Sequence, residues 1–169
     1  LHHNKTKPRL YCLLNMLHTL KTTQILGISP EQAWEFLSRP ENLKKITPPQ
    51  MGFEMLYRSG TEATYAGQII TYRVRPLLGL PIKWVTEITH VEPGRYFVDE
   101  QRFGPYAFWH HQHWIQPHAY GTQMVDEVNY KLPFGMLSAW AHPWLVKPQL
   151  ESIFKYRFKT LEQLFPVKS

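Results

Sequence analysis

Residues 103–135 contain two runs with a two-residue period on either side of a short turn, which is the pattern of an antiparallel hairpin. The segment reads FGPYAFWHHQHWIQPHAYGTQMVDEVNYKLPFG. Gly121 can adopt the positive φ that a tight turn at residues 118–121 requires. This turn fixes the cross-strand partners, which are Pro117 with Thr122, His113 with Asp126, His111 with Val128, and Trp109 with Tyr130. A slip of one residue would move every side chain to the opposite face.

One face of this predicted hairpin is apolar and aromatic, apart from two histidines and one carboxylate. Its members are Trp109, His111, His113, Ile115, Met124, Asp126, Val128, Tyr130 and Leu132. The opposite face, which begins with Phe108, His110 and Gln112, is more polar and is expected to be the wetter one. Because buried polar groups need partners, the His–Asp group is either a satisfied structural network or the polar end of a pocket.

The pattern of the remaining chain predicts one strand, two short helices, further strands and a long C-terminal helix. A strand at 17–26 precedes a capping box, in which Ser29 is the N-cap, Pro30 the first helical residue and Gln32 the N3 residue. The predicted helices are 30–38 and 41–46. The predicted strands are 53–58, 63–75 with Gly67 as a candidate bulge, 82–91, 95–103 and the two hairpin strands.

From about Gln149 the apolar residues follow a 3.6-residue period, which indicates an amphipathic helix. Its predicted apolar stripe consists of Leu150, Ile153, Phe154, Phe158, Leu161, Leu164 and Phe165, and we expect Lys155, Arg157 and Lys159 mainly on the other face. Strands joined by short turns favour a meander, whose concave face would cover the helix. The sequence therefore predicts an α+β fold, in which a curved antiparallel sheet of about seven strands wraps around the C-terminal helix.

The chain has 169 residues and 20.0 kDa, which is typical of one domain, and 14% of its residues are aromatic. We expect a single domain at 16–166, with residues 1–15 as an N-terminal extension or a sequence added for expression. The net charge of +6 falls to +3 from Met16 onward, and Lys and Arg form no stripe. Charge and motifs therefore give no support for nucleic-acid binding.

Cys12 is the single cysteine, so no intramolecular disulfide is possible and a cytoplasmic location is predicted. No apolar run approaches the ~20 residues of a membrane span, so stable membrane insertion is not expected. Residues 10–17 are too short and lack the small-residue site of a signal peptide. A monomer and a homodimer are both compatible with the sequence.

Three stretches resemble the START-like and polyketide-cyclase-like (SRPBCC) superfamily, whose fold is the helix-grip fold. They are SPEQAWEFLSRPENLKKITPP, the hairpin, and SIFKYRFKTLEQLF. The hairpin is similar to that of the bacterial "ligand-binding SRPBCC domain" group, in which a W-x-H-x-H strand precedes GT-x-M-x-D-x-V-x-Y-x-L-P. The resemblance implies the fold and a ligand cavity between sheet and helix. It implies no particular chemistry, because the superfamily includes lipid carriers, hormone receptors, cyclases and oxygenase domains.

The candidate site centres on His111, His113 and Asp126. A His-x-His pair with a carboxylate can hold a metal, can transfer protons, or can form a cross-strand hydrogen-bonded pair. We favour the polar end of a pocket and predict no metal or cofactor. Asp99 would lie opposite His111 if residues 104–106 form a loop. The candidate ligand-binding residues are Trp109, His111, His113, Asp126, Tyr130, Trp84, Tyr72 and Asp99.

The sequence thus predicts binding of a small apolar or amphipathic molecule between the sheet and the C-terminal helix. A second hypothesis is an enzyme of the cyclase, dehydratase or hydrolase kind, with His113 as general acid or base and Asp126 fixing its tautomer. A third is a protein-interaction module whose core is filled. Trp140, His142 and Trp144 precede the C-terminal helix and could gate the cavity mouth.

Overall fold

The computed structural model describes residues 17–60, 63–76, 79–133 and 142–167. The strands are β1 (His18–Leu26), β2 (Glu54–Arg58), β3 (Gln68–Val74), β4 (Ile82–Glu92), β5 (Tyr96–Phe103), β6 (Phe108–His118) and β7 (Gly121–Lys131). The α-helices are α1 (Pro30–Leu37) and α2 (Lys147–Leu164). Short 3-10 helices span Pro40–Ile46 and Pro49–Met51, and a π-helical turn, His142–Val146, leads into α2.

The seven strands form one antiparallel sheet in the order β1-β7-β6-β5-β4-β3-β2. From β2 to β7 each strand pairs with the next one along the chain, which confirms the predicted meander. β1 returns to pair with β7, so β1 and β2 are the two edges. With α2 on its concave side, the sheet has the helix-grip arrangement.

The predicted capping box at the start of α1 is present. The Ser29 side chain accepts a hydrogen bond from the Gln32 amide, and the Gln32 side chain accepts one from the Ser29 amide. Pro30 occupies the first helical turn, where its missing N–H costs nothing. These local signals fix the point at which the chain leaves β1 and crosses the end of the sheet.

The apolar stripe of α2 packs on the inner face of the sheet. Leu161 packs with Leu26 and Ile115, whereas Leu150 and Phe154 pack with Trp109 and other residues of β6 and β7. The predicted stripe was wrong at two positions, since Phe158 is 37% exposed and Leu164 is 46% exposed, whereas Arg157 points inward with a side chain only 12% exposed. The buried positions 150, 154 and 161 and the half-buried position 157 follow a regular 4-3-4 spacing, so the inward stripe of the helix has one polar interruption.

The predicted hairpin register is confirmed at every pair, from Trp109 opposite Tyr130 to Pro117 opposite Thr122. Gly121 ends the turn with a φ of 131°. The prediction for the third strand was partly wrong, since β3 begins at Gln68 rather than at residue 63. Gly67 has a φ of 90° and lies in the turn before β3, so it is not a bulge. None of the helices among the described residues has the length and apolarity needed to cross a bilayer.

Candidate functional site

Three neighbouring strands bring two histidines and two aspartates together on the inner face of the sheet. β6 lies between β5 and β7, and it carries His111 and His113 two residues apart on the same face. Asp99 on β5 lies opposite His111, as the sequence predicted, and Asp126 on β7 lies opposite His113. We call these four residues the His–Asp cluster.

Each histidine ring of the cluster lies between the two carboxylates. The His113 Nε2 lies 2.7 Å from Asp99 Oδ2, and its Nδ1 lies 2.8 Å from Asp126 Oδ1. The His111 Nδ1 lies 3.3 Å from Asp99 Oδ2, and its Nε2 lies 3.3 Å from Asp126 Oδ1. The ring centroids are 3.8 Å apart. All four ring nitrogens therefore face a carboxylate oxygen.

Arg157 on α2 completes the partners of Asp126. Its Nη1 donates to Asp126 Oδ2 at 3.1 Å, and the Asp126 side chain is 0% exposed. Two signals in the sequence point to this contact. A buried carboxylate needs a partner, and position 157 fits the helical spacing of the buried stripe. The prediction missed it because the apolar Phe158 fits nearly the same period.

The charges of the cluster stabilise one another against the cost of burial. Burial opposes ionisation of Asp126, but Arg157 and the hydrogen bonds from both histidines outweigh it and hold the pKa of this carboxyl well below its usual value. Burial likewise opposes ionisation of Asp99, but the charge and hydrogen bonds of His111 and His113 lower its pKa. Burial disfavours the imidazolium of His111, but Asp99 and Asp126 raise the pKa of this ring above its ordinary value.

A cavity of about 180 Å³ lies between the sheet and the helices, and the cluster contributes to its wall. Asp99, His111 and His113 line the cavity together with Arg157. The other walls are mainly apolar and include Leu37, Leu43, Ile46, Met51, Phe53, Ile70, Tyr72, Val74, Trp84, Ile88, Phe97, Tyr106, Trp109, Leu150, Ile153 and Phe154. Further polar lining residues are Ser38, Arg39, Asn42, Thr47, Thr64 and Thr86, so the cavity is amphipathic.

Aromatic rings pack closely along one wall of the cavity. Trp84 and Trp109 meet edge to face with centroids 5.1 Å apart, and Tyr106 lies 4.8 Å from Trp109. Phe97 stacks on His113 at 4.1 Å, which fixes the plane of that ring. Tyr106 was missed in the sequence because it lies in the loop between β5 and β6, where no periodicity reports its direction.

The structure places most, but not all, of the predicted ligand-binding residues on the cavity wall. Those on the wall are Tyr72, Trp84, Asp99, Trp109, His111 and His113. Asp126 is not on the wall, because it lies behind the two histidines. Tyr130 packs next to Trp109, but it is also absent from the wall and its hydroxyl lies 2.8 Å from the His142 Nε2.

The structure describes only part of the segment before α2, which the sequence suggested as a gate at the cavity mouth. His142 is buried and stacks on His18 with centroids 3.6 Å apart, so it belongs to a second polar group with Tyr130. Trp144 is 80% exposed and does not line the cavity. Trp140 lies outside the described residues, as does Cys12.

Comparison with known proteins agrees with this architecture. The family described as "Polyketide cyclase / dehydrase and lipid transport" matches residues 26–155. The chain belongs to this family. No curated protein matches the chain significantly in sequence.

Solved structures share the fold of this family member at low sequence identity. The protein TTHA0849 of Thermus thermophilus is 14% identical with a TM-score of 0.64, over 86% of this chain and 95% of that one. CV1439 of Chromobacterium violaceum is 16% identical with a TM-score of 0.65, over 87% of this chain and 96% of that one. The major latex-like protein 151 of Panax ginseng is 9% identical with a TM-score of 0.65, over 89% of this chain and 99% of that one. At these identities the likeness shows the fold alone.

Proposed function

We propose that the protein binds a small amphipathic molecule in the cavity between the sheet and α2. The observation that carries this proposal is the distribution of side chains around the cavity, since its wall is mainly apolar and aromatic and the His–Asp cluster adds convergent polar groups to it. Such a wall removes the apolar body of a ligand from water, while a few convergent polar groups set its orientation. The family's description, which includes lipid transport, is in line with an apolar ligand.

The volume of the cavity limits the size of the proposed ligand. An engineered cavity of roughly 150 Å³ lined by apolar side chains binds benzene. The cavity of about 180 Å³ therefore has room for one substituted aromatic ring or an aliphatic body of similar size. We infer that the ligand is monocyclic or similarly compact, with one polar substituent directed at the His–Asp cluster.

The proposed proton-transfer enzyme receives less support from the geometry. A general acid or base needs a nitrogen within hydrogen-bond reach of the substrate. Both ring nitrogens of His113 face carboxylates, at 2.7 Å from Asp99 and 2.8 Å from Asp126. The two ring nitrogens of His111 also face Asp99 and Asp126, each at 3.3 Å. We therefore assign the cluster a binding role, in which it orients the polar end of the ligand.

The first test is native mass spectrometry of the purified protein, followed by denaturation and organic extraction to identify any molecule that co-purifies. Direct binding is then measured by ligand-observed NMR with toluene and phenol, which differ in the polar substituent. We expect phenol to bind at least about tenfold more tightly than toluene, because its hydroxyl can donate a hydrogen bond to a carboxylate of the His–Asp cluster. Equal binding of the two, or binding of neither, would contradict the proposal.

A substitution that fills the cavity separates ligand binding from folding. Ile153 lines the cavity from α2, so Ile153→Trp should place an indole in the space that the ligand needs. The matched control is Phe158→Trp, which adds the same side chain at an exposed position of the same helix. We expect the affinity for phenol to fall more than about tenfold in the first variant only. Circular dichroism of both variants shows whether they are folded.

A further inference from the structure

The His–Asp cluster contains three groups whose ligating atoms converge at the wall of the cavity. They are Asp99, His111 and His113, and one ligand atom of each lies within 4.8 Å of those of the other two. Asp99 Oδ2 lies 3.3 Å from His111 Nδ1 and 2.7 Å from His113 Nε2. Ligands about 2.1 Å from a common tetrahedral ion are about 3.4 Å apart, so small side-chain rotations would admit an ion.

Asp126 has the position of a carboxylate that orients metal-binding histidines. A histidine that binds a metal through one nitrogen usually donates its other N–H to a carboxylate or carbonyl. The remaining nitrogens here, His111 Nε2 and His113 Nδ1, both face Asp126 Oδ1, at 3.3 and 2.8 Å. Arg157 binds the second oxygen of Asp126 at 3.1 Å and fixes its orientation. Both rings are thereby held with their other nitrogens toward Asp99.

The charge and the access of the cluster also suit a cation. Metal binding requires both rings to be neutral, and two carboxylates then face one guanidinium, so the charge of a bound cation is partly compensated. Asp99, His111 and His113 line the cavity, whereas Asp126 does not. An ion bound by these three groups would therefore have its remaining coordination positions toward the cavity, as in metal sites that bind an exogenous ligand.

We propose that Asp99, His111 and His113 form a binding site for a divalent first-row transition-metal ion, with Asp126 as the residue that orients both histidines. The sequence predicted no metal, and the one triad it offered used Asp126 as a ligand. In the site proposed here Asp99 is the carboxylate ligand, and Asp126 orients the histidines. Two histidines and one carboxylate are the ligand set of zinc and of non-haem iron(II) sites, so Zn²⁺ and Co²⁺ are suitable probes. The inference does not depend on the proposed ligand.

The test is equilibrium binding of Zn²⁺ and Co²⁺ to the chelator-treated protein. Zn²⁺ affinity is measured by competition with a chromogenic chelator, stoichiometry by elemental mass spectrometry, and the Co²⁺ environment by visible absorption. All proteins carry His2→Gln and His3→Gln, because adjacent histidines at the N-terminus could bind metal themselves. We expect one ion per chain and a Co²⁺ spectrum of low coordination number.

Substitutions distinguish this site from adventitious binding. Asp99→Asn and His111→Gln should each weaken Zn²⁺ binding at least about a hundredfold, and Asp126→Asn should weaken it about 10- to 100-fold. The control is His110→Gln, since His110 lies on the outer face of the same strand with its Nδ1 2.9 Å from Glu100. Equal affinity in all variants, or no saturable site in the parent protein, would refute the proposal.

Two further measurements keep the result interpretable. Circular dichroism and melting curves without metal show whether each ligand variant is folded. A rise in melting temperature with Zn²⁺ in the parent, absent in a folded Asp99→Asn, supports the site, and an equal rise in both contradicts it. Ile153→Trp should retain the metal while losing phenol binding. A protein that binds phenol but no metal would therefore refute the metal site and leave the proposed function intact.

Discussion

Replacing Arg157 by Met tests whether the contact between α2 and the sheet stabilises the fold. The substitution removes the guanidinium that donates to Asp126, and it retains a long side chain with a similar helix propensity. Asp126 is 0% exposed and Arg157 12% exposed, so water cannot readily replace the lost partner. The variant therefore leaves a buried carboxylate with only the two histidines as partners.

The expected loss follows from the geometry of the pair. At the observed 3.1 Å and an effective dielectric constant of about 20, the Coulomb attraction is about 5 kcal/mol. Removing Arg157 also removes the cost of burying its own charge, which offsets part of this attraction. Breaking one partner of a buried pair costs about 3–5 kcal/mol in other proteins. Because both histidines still contact Asp126, we expect a loss at the lower end, about 3 kcal/mol.

The assay is urea unfolding followed by tryptophan fluorescence and by circular dichroism, which should give coincident transitions. A loss of about 3 kcal/mol corresponds to a melting temperature lower by about 6–12 °C for a chain of this size. The matched control is Lys155→Met, which removes an exposed cation from the same helix and should change stability by less than about 0.5 kcal/mol. If Arg157→Met is no more destabilising than this control, the contact does not stabilise the fold.

Three further substitutions test individual contacts. Ser29→Ala removes the N-cap of α1 and should cost about 1 kcal/mol in urea unfolding. Gly121→Ala should cost about 1–3 kcal/mol in the same assay, because the residue has a φ of 131° and a Cβ would collide with the Leu26 carbonyl. Burial lowers the pKa of His142, so its contribution to stability is complete above the ordinary value of 6.5 and declines as the pH falls below it. In His142→Gln this part of the pH dependence of the unfolding free energy should disappear. An unchanged pH profile would show that the surroundings of this ring do not depress its pKa. These surroundings include His18, Tyr130 and Lys147.

The sequence alone was sufficient to predict the sheet and the positions of most of the His–Asp cluster, because the information is local. Along β6 and β7 the apolar face and the more polar face follow a two-residue period, and the turn at Gly121 set the register that places His113 opposite Asp126. The position of Asp99 followed from a short loop between β5 and β6. The capping box at Ser29 was equally local, because its two hydrogen bonds involve residues three positions apart.

The contacts made across the molecule could not be predicted in this way. Arg157 and Phe158 are adjacent, and a 3.6-residue period accommodates either on the buried side of α2, so hydrophobicity favoured the wrong one. Which of them points inward is decided by Asp126, a residue 31 positions earlier in the chain. Tyr130 lies on the predicted face, but its hydroxyl is directed to His142, whose place depends on the path of the chain before α2.

The position of the polar cluster bears on its role. Buried ion pairs seldom stabilise a fold more than apolar residues of the same size would, because each charge is first removed from water. The His–Asp cluster, with Arg157, places several such groups beside a mainly apolar cavity. A structural pair could have been built from one histidine and one aspartate, whereas here Asp99 and both histidines face the cavity and Asp126 supports the two rings from behind. That arrangement of cavity-lining groups with a supporting carboxylate is the arrangement expected of a binding site, for a ligand's polar end, for a metal ion, or for both together.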